Sequence, residues 1–193
     1  MELKEMPVES VVKAVGAPEP VPGSGSVAAL QGAFAVSLAL KSARITEADK
    51  ALGDACEKAS RIAGNLENVP TALLELSERI ASNARALGKA EGEERQALLK
   101  SSAETLLDAA DLANKAIPAS SFLSKHGSRA AIPDALAASS SADSAVQILF
   151  VNVRACLEPL EDKAAAEALR KRGAVLSIHA GEMREWIMES ALI

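Results

Sequence analysis

Apolar residues recur at three- and four-residue spacing through most of the 193-residue chain and nowhere alternate over a useful length, so the pattern predicts helices throughout. Val8, Val11, Val12 and Val15 form a short stripe that Gly16 ends. In the run Ala17-Pro18-Glu19-Pro20-Val21-Pro22 the prolines deny helix and favour an extended connector. A turn, Gly23-Ser24-Gly25-Ser26, leads into an alanine-rich stretch from Val27 to Ile45, whose only charges, Lys41 and Arg44, fall in its last turns, as the helix dipole prefers. Amphipathic helices are expected over Glu47 to Leu66, Thr71 to Leu87 and Glu94 to Ile117. Ala119 to Arg129, bounded by Pro118 and containing Gly127, reads as a surface connection. A second apolar helix runs from Pro133 to Leu157, and a last one from about Asp162 to Leu192, bent at Gly173 or Gly181.

These elements predict a single all-α domain over residues 1–193, a bundle of six to eight helices around two central apolar helices, 27–45 and 133–157. A helix buried all round needs neighbours all round. A homodimer would supply them; the alternative is that the two helices form the central pair of a monomer. Composition agrees: 49% of residues are hydrophobic but only 2% aromatic, which removes the usual cross-strand packers. Alanine, the best helix former, is roughly a fifth of the chain.

A net charge of −5 lacks the electrostatic footprint of a general nucleic-acid binder. Cys56 and Cys156 have neither zinc-site spacing nor disulfide density, and read as small buried hydrophobes in a reducing compartment. No window approaches the ~20 uncharged apolar residues of a membrane span, and the first residues show no basic region followed by an apolar core. The expectation is a soluble, cytoplasmic protein without a membrane or nucleic-acid partner.

Three places could carry chemistry. Pro22-Gly23-Ser24-Gly25-Ser26 opens a helix, where free N–H groups, the positive dipole end and hydroxyls suit an anion or a carbonyl; an ordinary serine cap is the alternative. Asp134 is an acid in the first turn of an apolar helix, either functional or simply favourable to the dipole. Asn152 stands in the apolar run 148–153. Eighteen residues separate Asp134 from Asn152, which puts them on one face but about 27 Å apart. They cannot act on one atom from the same chain. His126 and His179 are isolated, and no metal-ligand spacing appears.

The opening Val21-Pro22-Gly23-Ser24-Gly25-Ser26-Val27-Ala28-Ala29-Leu30 resembles the P-G-G-G-S-(A/V)-A-A-L start of the formiminotransferase-cyclodeaminase C-terminal domain, the family that also holds the methenyltetrahydrofolate cyclohydrolases. Ile132-Pro133-Asp134 and Asn152-Val153-Arg154 resemble its I-S-D and L-N-V-R elements at matching spacing, so the resemblance covers nearly the whole chain. It implies an all-helical homodimer with a tetrahydrofolate pocket at the glycine turn. The implied reactions are closure of 5-formiminotetrahydrofolate to 5,10-methenyltetrahydrofolate with loss of ammonia, or hydrolysis of the methenyl compound to 10-formyltetrahydrofolate. Both pass through a tetrahedral adduct at a cationic amidine carbon, for which a carboxylate stabilises charge and moves protons. No cofactor beyond the folate substrate is implied.

The chain departs from that pattern. Where the family's D-A-x-A-F motif carries its acid, this sequence has Ile80, or Asn83 if aligned one turn later. The family's Ser before Asp134 is Pro133, and the second Asn of N-V-x-x-N is Cys156. Asp134 is the remaining acid in a matching motif and the candidate catalytic group, with Glu78 as another nearby acid. Pro22 to Ser26, Asn152, Lys41 and Arg44 are the candidate substrate-binding residues, the last two because an anionic folate needs local cations. A working enzyme, a relative that binds folate or another small molecule without the chemistry, and a helical dimer with an interaction role all remain open.

Overall fold

The structure, a computed structural model, describes residues 3–191. Among these there is no strand and there are eight α-helices: α1 Val8–Val15, α2 Ser24–Ala48, α3 Asp54–Leu66, α4 Val69–Leu87, α5 Gly92–Asn114, α6 Ala116–His126, α7 Ile132–Leu157 and α8 Lys163–Ala191. The end of the last helix at Leu192 lies outside the described residues.

The two apolar helices are the centre of the bundle. α2 and α7 form its most extensive contact, and α3, α4, α5 and α6 pack on the remaining faces of α2. Ser24 meets Asn152 at one end of the pair and Lys41 meets Asp134 at the other, so the two run antiparallel. Both helices bury many alanines completely, among them Ala28, Ala29, Ala35, Ala39 and Ala43 on α2 and Ala135, Ala138, Ala142 and Ala145 on α7. Small side chains let the backbones come close, and dispersion summed over many contacts replaces the bulk of larger residues. At Gly32 a Cβ would stand 2.9 Å from the Ala113 Cβ, which is how closely α5 crosses α2. Larger residues, Leu73, Leu107, Ile117, Leu123 and Leu149, are fully buried as well, on α4, α5, α6 and α7.

α2 is long and apolar enough to cross a membrane, yet here it is a core helix covered by its own chain. Five helices of the same chain, α3, α4, α5, α6 and α7, thus pack against α2.

Four boundaries differ from the sequence reading. The glycine turn is itself the first turn of α2, with Gly23 as its cap. The helix expected from Glu47 to Leu66 is split, because α2 continues to Ala48 and Gly53, at φ 54, takes a left-handed conformation before α3. The expected surface connection from Ala119 is mostly α6, which buries Ala116, Ile117, Ala119, Ser120 and Leu123. Pro118 does not end a helix there; it sits in the first turn, where its missing N–H has no partner to lose. Finally, α8 runs unbroken through Gly173 and Gly181. Gly173 serves close approach instead, since a Cβ there would lie 2.4 Å from Phe150 Cδ2. Asp162 caps this helix by accepting from the Ala165 N–H at 3.0 Å.

Candidate functional site

The N-terminus of α2 opens into a cavity of about 430 Å³. Its wall is assembled from four helices: Gly23 to Ser26 on α2, Ile80 and Asn83 on α4, Ser102 and Leu106 on α5, and Asn152 and Cys156 on α7. No side chain caps α2, so the N–H groups of its first turn, at Ser24, Gly25 and Ser26, keep their donors for a ligand. The Ser24 hydroxyl donates to Asn152 Oδ1 at 3.0 Å, and Asn152 Nδ2 donates to the Ile148 carbonyl at 2.9 Å. These bonds fix the amide across the mouth of the helix.

Gly25 is required by packing, not by backbone conformation. A Cβ there would lie 3.0 Å from Leu106 Cδ2, 3.1 Å from Ile80 Cγ2 and 3.5 Å from Asn152 Oδ1. Behind it, the Ser102 hydroxyl is buried without any hydrogen-bond partner, a donor and acceptor held unsatisfied at the cavity wall. Sequence reasoning missed Ser102, since a serine beside another, Ser101, in an amphipathic helix carries no signal until the fold turns it inward.

Both positions that could hold the family acid, Ile80 and Asn83, line this cavity, and neither is acidic. No Asp or Glu is among the lining residues, and the single charge is Arg95, whose Nη1 donates to the Leu87 carbonyl at 2.8 Å. Burial pushes the Cys156 thiol up from its ordinary 9.0, so it is a neutral wall group, not a nucleophile.

The other predicted site residues lie elsewhere. Asp134 pairs with Lys41 Nζ at 2.8 Å, about 25 Å along α2 from Ser24. It therefore cannot reach the glycine-turn cavity in the same chain. Arg44 binds Glu67 through both carboxylate oxygens at 2.7 Å, so neither predicted cation faces the pocket. Glu78 accepts from the Lys4 backbone N–H at 2.8 Å and does not line the cavity. Pro22 is also outside it, and Pro20 takes its place in the wall. The end of α7 that bears Asp134 is held by its own polar contacts. Ser42 Oγ donates to the Ala131 carbonyl, and Thr46 Oγ1 accepts from the Ser128 N–H at 3.1 Å. His179 is exposed, and among the described residues no group of three His, Cys, Asp or Glu could hold a metal.

A family model described as formiminotransferase-cyclodeaminase matches residues 7–174. The crystal structure of formiminotetrahydrofolate cyclodeaminase from Thermotoga maritima superposes with a TM-score of 0.88 at 20% identity, covering 100% of each chain. At that identity the likeness is one of fold. No curated protein sequence matches the chain.

Proposed function

Because the chain belongs to the formiminotransferase-cyclodeaminase family, we propose that the glycine-turn cavity takes a tetrahydrofolate derivative and that the protein works at its one-carbon C–N centre. The observation that carries this reading is convergence: segments 23–26, 80–83, 102–106 and 152–156, distant in sequence, meet around one opening. In this proposal the α2 N–H groups hold a carbonyl or oxyanion of the ligand. Asn152 and Ser102 supply directional hydrogen bonds, while Ile80, Leu99 and Leu106 lie against the flat ring. The reaction is closure of the 5-formimino compound with loss of ammonia, or hydrolysis of the 5,10-methenyl compound.

A second reading, folate binding without turnover, is favoured by one specific observation: the cavity wall holds no carboxylate and one guanidinium. Both reactions begin from or pass through a cationic amidine carbon, and a proton-transfer group commonly supplies about two to four orders of magnitude in rate. Asp134, about 25 Å away, does not fill that role within one chain.

Loss of methenyltetrahydrofolate absorbance with purified protein, run beside a calorimetric titration with tetrahydrofolate, separates these readings. Protein-dependent decay supports an enzyme, and saturable binding without decay supports a non-catalytic folate protein. Neither binding nor decay overturns the folate assignment and leaves an interaction role for the helical fold. Asp134→Asn is the control expected to behave as the parent; loss of turnover in it would place a second copy's Asp134 at the site. A homodimer is supported by Phe34, 66% exposed on α2, and is tested by sedimentation equilibrium with Phe34→Glu.

A further inference from the structure

A cavity of about 810 Å³ lies away from the glycine turn, where α3, α6 and the end of α8 meet. We infer that this groove is a second ligand site, taking an organic phosphate with two or three negative charges and a planar or apolar body.

Its chemistry is the reverse of what the overall charge of −5 would suggest. Lys58, Lys115, Lys125 and His126 line it, and no acidic residue does. None of the three lysines takes part in an ion pair among the described residues, whereas Lys41, Arg44, Arg172 and Arg184 elsewhere on the bundle each hold a carboxylate. A merely solvated face would leave such side chains extended into water. Here two are held over rings instead: Lys58 Nζ stands 4.2 Å from the centroid of Phe122, and Lys125 Nζ 3.4 Å from that of Trp186. Phe122 in turn stacks against His126 with centroids 5.1 Å apart. A cation–π contact fixes an ammonium without neutralising it, so each lysine keeps N–H donors and its full charge for an incoming anion.

Three uncompensated point charges around one groove repel one another, and a dianion or trianion relieves that repulsion. Lysine ammoniums, unlike the planar guanidinium fork, suit phosphate oxygens approached from several directions. Ile62, Leu66, Pro118 and Ala119 give the lining an apolar part, beside the neutral polar Asn65 and Ser121, and account for the body of the ligand. A bare inorganic ion would leave that surface unused.

The chain contains one tryptophan, Trp186, and no tyrosine, so its emission reports on this groove alone. ADP is the probe, with adenosine and inorganic diphosphate as its separated halves. ADP is expected to change Trp186 emission saturably, with affinity falling as ionic strength rises, and each half to bind at least tenfold more weakly. Lys115→Gln, which leaves both cation–π pairs in place, is expected to weaken ADP at least fivefold, and Lys58→Gln likewise, with circular dichroism unchanged. No saturable response to ADP, or an ADP affinity in both lysine variants equal to that of the parent, overturns the assignment. So does diphosphate binding as tightly as ADP, which would mark a nonspecific basic patch. No folate enters the measurement, so it stands or falls separately from the glycine-turn cavity.

Discussion

Asn83→Asp tests whether the glycine-turn cavity lacks only an acid. Two positions could receive one, and the structure decides between them. Ile80 is 8% exposed, so Ile80→Asp would forfeit about 2 kcal/mol of apolar burial. It would also place a carboxylate in low dielectric at an effective cost of several kcal/mol. That variant would unfold or hold its acid neutral. Asn83 is half-buried, lines the same cavity one turn further along α4, and is nearly isosteric with aspartate. Its replacement leaves the packing of Leu106 and Gly25 untouched, so the stability change is expected to stay below about 1 kcal/mol. Arg95, in the same wall, favours the charged form of the new acid. A correctly placed proton-transfer group contributes 10²- to 10⁴-fold, or roughly 3 to 5 kcal/mol of barrier. The assay is decay of methenyltetrahydrofolate absorbance under single-turnover conditions, beside a tetrahydrofolate titration. The expected result is unchanged binding with a rate at least a hundredfold above the parent. Unchanged binding with an unchanged rate would refute the reasoning that the missing carboxylate is what limits this pocket.

The other expectations concern packing, the cavity wall and the distant ion pair. Leu149→Ala removes a fully buried side chain from α7 and should cost about 2 to 5 kcal/mol, read as a lower denaturation midpoint with an unchanged slope. Because burial raises the Cys156 thiol, the folded state binds its proton more tightly than the unfolded chain. This contribution is fully present below pH 9.0 and is lost as pH climbs through the raised value, so chemical denaturation across that window should show stability falling with pH. Lys41→Gln breaks a pair with an ammonium that is 60% exposed, and should change stability by less than about 1 kcal/mol in thermal melts while leaving folate affinity unaltered. A tenfold loss of folate affinity in that variant would show that the two ends of α2 serve one ligand.

The helical class, the two apolar helices and the approximate limits of α4 and α7 were legible in the sequence because they depend on periodicity, which a linear pattern carries directly, whereas the helix expected to reach Ile117 ends at Asn114 and Ile117 belongs to α6. The 18-residue separation of Asp134 and Asn152 likewise held them apart once α7 proved to be one helix from Ile132 to Leu157. What periodicity does not carry is which residue of another helix faces a given one. Pro118 reads as a stop on paper and becomes a first-turn residue only because Ile117 and Leu123 find apolar neighbours. The approach of Ser24 to Asn152, the pairing of Lys41 with Asp134, the orphaned Ser102 hydroxyl and the lysines over Phe122 and Trp186 all depend on the docking of helices far apart in the chain. Local sequence thus determined the elements and the motif residues, because helix formation is a matter of near neighbours. Only the tertiary structure decided which of those residues share a cavity, because that is set by how alanine-lined helices close on one another.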